Sequence, residues 1–210
     1  MSQMLDRLLQ EKVVAIFRYI EDQYADQAAQ ALLDGGISMM EITMNTEGAT
    51  GMISRWREKF GEQASIGAGT VLDLDMAKEA VAAGSQFIIS PNLDESVVAY
   101  GYENGVPVWP GCMTPTEIVR AWKAGAEAVK VFPMGTLGWK YLAEIRAPLD
   151  KIPMMGTGGV DLDNIADYFR AGACAVGMGS KLVNLDWVRS GRFDLLTERA
   201  RKFAEAAKSV

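Results

Sequence analysis

Short apolar segments alternate with longer amphipathic segments along this 210-residue chain, and that alternation restricts the folds it can adopt. Eight segments have the length and composition of buried strands: 13–18, 38–43, 65–69, 86–90, 107–110, 128–132, 152–156 and 174–178. Helical periodicity follows each of the first seven, at 23–33, 48–60, 75–83, 95–104, 116–124, 138–147 and 163–171. A further helix is predicted at 193–208, and a short one at 3–10 precedes the first strand.

Glycine joints between helix and strand recur at near-regular intervals. Gly36, Gly84, Gly125 and Gly172 each follow a predicted helix, where a positive φ ends the helix before a strand begins. Their separations of 48, 41 and 47 residues each fit two strand–helix units. We therefore predict an α/β fold, a single (β/α)8 TIM-barrel domain over residues 1–210 with a short N-terminal helix. An open doubly wound sheet is disfavoured because no glycine-rich fingerprint follows the first strand.

The charge balance excludes several partners. The chain carries 21 Lys and Arg against 27 Asp and Glu, a formal net charge of -6, which argues against nucleic acid and anionic membranes. Apolar runs such as 13–17 are too short to span a membrane, and 1–11 mixes acidic and basic residues, unlike a signal peptide. We expect a cytoplasmic protein.

Histidine is absent, which removes Ser-His-Asp and Cys-His mechanisms and His-ligated zinc. Acid–base chemistry must then depend on carboxylates, Lys, Tyr or Cys. Cys112 and Cys174 lie 62 positions apart in apolar stretches, so we interpret both as reduced, buried thiols. We predict neither a metal site nor a nucleophilic role for Cys112.

Lys130 lies inside the apolar strand predicted at 128–132, whereas the other nine lysines fall in or beside helices and loops. Two-residue alternation places it on one face with Ala128 and Phe132, and small Ala128 indicates that this face points into the barrel. Desolvation would lower the pKa of Lys130 and leave a neutral amine able to attack a carbonyl. The alternative is a structural lysine paired with a buried carboxylate.

Glu41 is likewise placed in mid-strand, on a face with Met39 and Thr43. A carboxyl there would serve as a general acid and base beside Lys130. Alternatively it neutralises Lys130 or Arg18, and one carboxylate can do both.

Two glycine-rich turns follow the seventh and eighth predicted strands, at 155–160 and 177–180. Backbone N–H groups at helix N-termini bind phosphate, and barrel enzymes usually place a phosphate in these loops. We predict a phosphate site there with a hydroxyl from Ser180; tight turns without a ligand are the alternative. Arg18, at the end of the first strand, would clamp a carboxylate or form a salt bridge, and Thr70 offers a hydroxyl to the same mouth.

Six motifs occur in one order over nearly the whole chain: MEIT at 40–43, IGAGTVL at 66–72, ISP at 89–91, PG at 110–111, VKVFP at 129–133 and TGG at 157–159. In this the chain resembles the class I 2-keto-3-deoxy-6-phosphogluconate (KDPG) / 4-hydroxy-2-oxoglutarate (KHG) aldolase family. The resemblance implies that Lys130 is the Schiff-base lysine and Glu41 the proton shuttle. It also implies a homotrimer that needs neither a metal nor another cofactor.

The resemblance further assigns the substrate contacts. Thr70 and Pro91 line the keto-acid pocket, with Phe132 beside Lys130. The phosphate is held by Thr157, Gly158, Gly159, Gly179 and Ser180. The chain departs from the family at Asn45, where the best-studied members carry an arginine that helps to hold the substrate carboxylate. Either Arg18 takes over that carboxylate or the substrate binds differently.

We therefore predict cleavage of a 2-keto-3-deoxy sugar acid, such as 2-keto-3-deoxy-6-phosphogluconate, to pyruvate and glyceraldehyde 3-phosphate, with 4-hydroxy-2-oxoglutarate as a further candidate substrate. One competing hypothesis is a phosphate-binding isomerase or epimerase that uses Glu41 and Lys130 without a covalent intermediate. The other is a non-catalytic sugar-phosphate sensor. The sequence does not distinguish gluconate-derived from galactonate-derived or unphosphorylated substrates.

Overall fold

Strands and helices alternate along the chain, as the sequence predicts. The computed structural model describes residues 2–209. The strands are β1 Val13–Phe17, β2 Met39–Thr43, β3 Ser65–Gly69, β4 Ile88–Ile89, β5 Val108–Trp109, β6 Gly111–Cys112, β7 Val129–Val131, β8 Met154–Thr157 and β9 Ala175–Met178. The helices are α1 Gln3–Glu11, α2 Asp22–Asp34, α3 Ala49–Phe60, α4 Leu74–Ala82, α5 Glu95–Glu103, α6 Pro115–Lys123, α7 Met134–Arg146, α8 Ile165–Arg170, α9 Leu185–Arg189 and α10 Phe193–Lys208.

All strands belong to one parallel sheet, in the order β5-β4-β3-β2-β1-β9-β8-β7-β6. The two edge strands, β5 and β6, are separated along the chain by Pro110 alone. The sheet therefore curls round until its first and last strands nearly meet, and it forms a nearly closed barrel.

The strand count differs from the predicted eight because the strand predicted at 107–110 contains only β5, and a further short strand, β6, directly follows Pro110. Pro110 has no N–H to donate, so the ladder is interrupted there. Before Pro110, β5 pairs with β4, and after Pro110, β6 pairs with β7. Helix α7 also begins earlier than predicted, at Met134, with Gly138 at φ 74 interrupting its helical geometry. Helix α9, capped by the Asn184 side chain, was missed.

The barrel interior is filled by one apolar cluster. Its buried members are Leu5, Leu8, Val14, Met39, Phe87, Ile89, Trp109, Ala128, Met155 and Ala175. Two-residue alternation sends the neighbouring strand residues outward, so Val13 and Ala15 pack beneath the helices. Leu5 and Leu8 come from α1, which covers the amino-terminal end of the barrel. Because Met39 and Ala128 point inward, the next inward positions on their strands are Glu41 and Lys130.

Both cysteines are free thiols, as predicted, but their burial differs. Cys112 is buried, whereas Cys174 is partly exposed because it lies just before β9. Burial raises the pKa of each thiol to about 12, which leaves both protonated at neutral pH. Within residues 2–209 no helix has the length and apolar character needed to cross a membrane.

Gly67 in β3 gives a test of the interior packing. A Cβ at this position would lie 2.4 Å from Cε2 of Phe87, whose ring stacks on Trp109 at 4.9 Å between centroids. We expect Gly67→Ala to lower the free energy of unfolding by about 1–3 kcal/mol, measured by urea denaturation. Gly51→Ala in α3, where a Cβ meets nothing within 4 Å, is the control and should raise it by about 0.5–1 kcal/mol. Equal stabilities for the two variants would contradict this packing.

Candidate active site

A cavity of about 290 Å³ lies at the carboxyl ends of β1, β7, β8 and β9, where barrel enzymes place their chemistry. It is lined by Ile16, Arg18, Lys130, Phe132, Thr157, Gly158, Gly159, Val160, Gly177, Met178, Gly179, Ser180 and Lys181. Eight of the residues that the sequence nominated are therefore brought together, including Lys130 and both glycine-rich turns.

Lys130 is the central residue of β7, and only 3% of it is exposed. Its Nζ lies 5.1 Å from the centre of the Phe132 ring. Burial lowers the pKa of Lys130, against the opposing effect of the Glu41 charge, and Arg18 lowers it further. The neutral, nucleophilic amine is thus available at a lower pH than in an exposed lysine.

Glu41 lies in β2 next to the cavity-lining residue Ile16 of β1, its partner in the strand register. The residue is 1% exposed, and neither carboxyl oxygen has a hydrogen-bond partner. Gly69 makes room for the carboxyl group, since a Cβ there would lie 2.5 Å from Oε1. Burial raises the pKa of Glu41, and the charges of Lys130 and Arg18 only partly offset this effect. A carboxyl with a raised pKa holds its proton more firmly than an exposed one and is suited to giving and taking a proton in catalysis.

The two glycine-rich turns form one end of the cavity. Gly158 and Gly159 both have positive φ, 98° and 70°, and a Cβ on Gly159 would lie 2.5 Å from Cα of Gly135 in α7. Thr157 is buried, and its Oγ1 has no hydrogen-bond partner. Gly177 leaves space beside that hydroxyl, because a Cβ there would lie 2.6 Å from it. Backbone amides and an unpartnered hydroxyl at this end suit a polar, anionic ligand group.

Arg18 connects the cavity to Thr70. One terminal nitrogen of its guanidinium donates to Thr70 Oγ1 over 3.4 Å. Thr70 has φ 58, a conformation that a β-branched residue rarely adopts. It directly follows β3 and does not itself line the cavity, and Pro91 after β4 does not line it either. The predicted contacts of Thr70 and Pro91 with substrate stay predictions.

Asn45 lies apart from the other nominated residues. Its Nδ2 donates to the hydroxyl of Tyr19 over 3.0 Å, and both residues line a separate cavity of about 820 Å³. The loop is held there by Thr46, whose Oγ1 accepts from the Tyr19 N–H over 2.9 Å and lies 2.9 Å from the hydroxyl of Thr43. The structure therefore does not bring Asn45 to the cavity that holds Lys130.

Several lining residues received no individual role from the sequence. They are Ile16, Val160, Gly177, Met178 and Lys181. Ile16 lies two residues before Arg18 on the same strand, so alternation alone would have found it. Val160, Gly177 and Met178 lie within the two glycine-rich turns predicted to bind phosphate, and Lys181 directly follows the second turn.

The protein-family model for KDPG and KHG aldolase matches residues 4–198. The chain belongs to the KDPG and KHG aldolase family. This confirms the resemblance predicted from the motifs, and it makes the chain an aldolase, hence a lyase.

Three relatives show how far the family likeness extends. The 2-dehydro-3-deoxy-phosphogluconate aldolase of Treponema pallidum is 37% identical over 197 residues, covering 92% of this chain and 90% of the relative. The 2-dehydro-3-deoxy-6-phosphogalactonate aldolase of Escherichia coli K12 is 34% identical over 171 residues, 81% of this chain and 83% of that protein. KDPG aldolase from Legionella pneumophila, solved with pyruvate captured as a covalent carbinolamine, matches with a TM-score of 0.88 at 27% identity, over 95% of this chain and 97% of that chain.

Proposed function

We propose that the chain is a class I aldolase in which Lys130 forms a Schiff base with C2 of a 2-keto-3-deoxy sugar acid. The observation that carries the proposal is a buried amine of lowered pKa, in the cavity at the carboxyl ends of the strands, that interacts electrostatically with the buried carboxyl of Glu41. The covalent pyruvate adduct in the Legionella relative supports the same chemistry.

The first half of the reaction builds the imine. Neutral Nζ of Lys130 attacks the C2 carbonyl carbon, the C=O π bond breaks, and the carbonyl oxygen takes up the proton that the attacking nitrogen loses, which gives a carbinolamine. Glu41, whose raised pKa favours the protonated form, gives a proton to the C2 hydroxyl, which leaves as water. The product is a protonated imine that can accept an electron pair.

The second half breaks the carbon–carbon bond. The Glu41 carboxylate takes the proton of the C4 hydroxyl, the C3–C4 bond breaks, and its electron pair moves into the imine to form an enamine. The C4 fragment leaves as an aldehyde. Protonation of the enamine at C3 and hydrolysis of the imine then release pyruvate and restore the amine of Lys130.

We assign the two anionic ends of the substrate from the residues that line the cavity. Arg18, hydrogen-bonded to Thr70, holds the keto-acid carboxylate in place of the family's arginine at position 45, and Phe132 of the cavity wall flanks the keto-acid pocket. Pro91, which lies outside that wall, is proposed to contact the substrate on the side of β4. The terminal phosphate binds at the other end. Its ligands are Thr157, Gly158, Gly159, Gly179 and Ser180. A carboxylate site and a phosphate site suit 2-keto-3-deoxy-6-phosphogluconate, which we propose as the substrate and which yields pyruvate and glyceraldehyde 3-phosphate.

A coupled assay tests this function. Purified protein is offered 2-keto-3-deoxy acids of gluconate and galactonate type, each with and without phosphate, and 4-hydroxy-2-oxoglutarate; lactate dehydrogenase reports pyruvate release. We expect release from at least one phosphorylated acid. Binding of a sugar acid without pyruvate release would favour the sensor hypothesis. Conversion of the acid with neither pyruvate release nor an adduct trapped by borohydride would favour an isomerase. Either result would overturn the aldolase proposal.

Three further features complete the proposal. Residues 107–112 count as a single barrel strand that Pro110 interrupts, so the chain forms one (β/α)8 barrel domain. The predicted domain bounds, 1 and 210, lie outside the described residues. The enzyme is cytoplasmic, in keeping with two free thiols, and works without a metal or other cofactor. It assembles as a homotrimer, which light scattering would show as three times the mass of one chain.

The lowered pKa of Lys130 predicts the pH dependence of adduct formation. The protein is incubated briefly with pyruvate at each pH and then quenched into borohydride at one fixed pH, and the reduced adduct is counted by mass spectrometry. Because burial disfavours the ammonium form, adduct formation should rise with pH through a midpoint below the ordinary lysine value of 10.5. The Glu41 charge raises this pKa, so Glu41→Gln should move the midpoint lower still. A midpoint at or above 10.5 would contradict the prediction.

A further inference from the structure

Lys181 brings a third positive charge to the active-site cavity. It directly follows Ser180 and lines the wall that includes both glycine-rich turns. Within residues 2–209, Arg18 and Lys130 are the other cationic residues of that wall. Both of those have roles in the proposed chemistry, whereas Lys181 has none.

The charge of Lys181 is only partly compensated. Its Nζ lies 3.0 Å from Oδ2 of Asp161, and the guanidinium of Arg199 lies 2.9 Å from Oδ1 of the same carboxylate. Partial burial raises the pKa of Asp161. Hydrogen bonds from Lys181 and from the Leu162 N–H, together with the charge of Arg199, outweigh this effect and hold the pKa below its usual value. One carboxylate thus serves two cations, and a net positive charge is left beside the cavity.

The two cations are held differently. The Arg199 side chain is 26% exposed, lies over the Phe203 ring at 5.0 Å, and donates from Nε to the Lys181 carbonyl over 2.8 Å. The Lys181 side chain is 60% exposed. Ion pairs as exposed as this contribute little to stability, so the ammonium can exchange one anion for another at small cost. Asp161 would then stay neutralised by Arg199.

The same residues are tied to the first glycine-rich turn. Asn164 donates from Nδ2 to the Gly159 carbonyl over 2.9 Å and accepts from the Asp161 N–H over 2.8 Å. The carboxylate that holds Lys181 is therefore in fixed relation to Gly159, which lines the cavity. The turns themselves offer neutral amides and hydroxyls, so Lys181 supplies the full charge that a dianionic group would favour.

We propose that Lys181 is a specificity-determining residue whose ammonium leaves Asp161 to contact the terminal phosphate of the substrate, so that phosphorylated 2-keto-3-deoxy acids are preferred over unphosphorylated ones. The inference rests on the proposed function and names the substrate class of that site. It assigns the preference to one side chain in addition to the amide-lined turns.

The test compares Lys181→Met with wild type on 2-keto-3-deoxy-6-phosphogluconate and on 2-keto-3-deoxygluconate. We expect KM for the phosphorylated acid to rise at least about tenfold, with kcat changed little and the constants for the unphosphorylated acid unchanged. Lys181→Arg should recover most of the lost affinity. Lys202→Met is the matched control, because Lys202 is a similarly exposed lysine paired with Glu198 and does not line the cavity.

Inorganic phosphate gives a readout that does not depend on aldol cleavage. Its dissociation constant, measured by calorimetry, should rise in Lys181→Met and not in Lys202→Met. An unchanged KM and unchanged phosphate binding, or an equal loss with both sugar acids, would overturn the role of Lys181. Borohydride trapping of pyruvate separates the two proposals: if wild type forms no adduct the aldolase proposal fails, while phosphate binding still decides the role of Lys181.

Discussion

Replacing Lys130 by methionine is expected to abolish aldol cleavage and to leave the barrel folded. Methionine fills the same inward position on β7 but cannot form the carbinolamine, and loss of a covalent nucleophile typically costs about 10⁴-fold or more in turnover. Removing the lysine charge also takes away an interaction that lowers the pKa of Glu41. That carboxyl would then be protonated over a wider pH range, which avoids a lone buried charge.

The measurement is pyruvate release together with borohydride trapping and peptide mass spectrometry. Wild type should carry the reduced pyruvate adduct on the peptide containing Lys130, and the variant should carry none. Lys140→Met serves as the control, because Lys140 is an exposed lysine of α7 outside the cavity, and it should behave as wild type. An adduct on any other lysine of the wild-type protein would contradict the assignment of Lys130.

Glu41→Gln is expected to lower kcat by about 10²-fold or more, because an amide of the same shape cannot take up and return a proton. Folding should be little affected. Neither carboxyl oxygen of Glu41 has a hydrogen-bond partner to lose, and the space beside Gly69 accepts an amide of equal size. Pyruvate trapping should slow but still reach Lys130 on long incubation.

The matched control for this variant is Glu47→Gln, an exposed carboxylate that lines the separate cavity beside Asn45. It should change neither kcat nor trapping. If Glu41→Gln kept near-normal turnover with an intact circular dichroism spectrum, Glu41 would be a charge partner of Lys130 without a part in proton transfer.

The residues predicted best from the sequence are those whose position follows from local periodicity. Alternation in β2 and β7 is enough to point Glu41 and Lys130 inward, because Met39 and Ala128 two residues earlier fill the interior. The glycine-rich turns after β8 and β9 were also predictable, since parallel strands bring their carboxyl ends to one edge. Their meeting in one cavity needed only the correct fold class.

Features that depend on distant contacts could not be predicted in this way. The position of Asn45 is decided by the Tyr19 hydroxyl, 26 residues away, and no local pattern encodes that bond. Thr70 adopts φ 58 against the preference of its residue type. The link from Lys181 through Asp161 to Arg199 joins the loop after β9, the loop before α8 and helix α10, so it emerges only once these segments are packed together. Propensity and spacing carry no information about any of these.

Helix α1 closes the amino-terminal end of the barrel with Leu5 and Leu8. Substrate and products must therefore reach and leave Lys130 through the opposite end, where the cavity lies. In the proposed chemistry the pyruvate fragment stays covalently bound to Lys130 after cleavage, while the aldehyde fragment lies nearer the open end of the barrel. The aldehyde must therefore depart first and pyruvate last. In the direction of synthesis the order of binding is reversed, so pyruvate has to bind to Lys130 before the aldehyde enters.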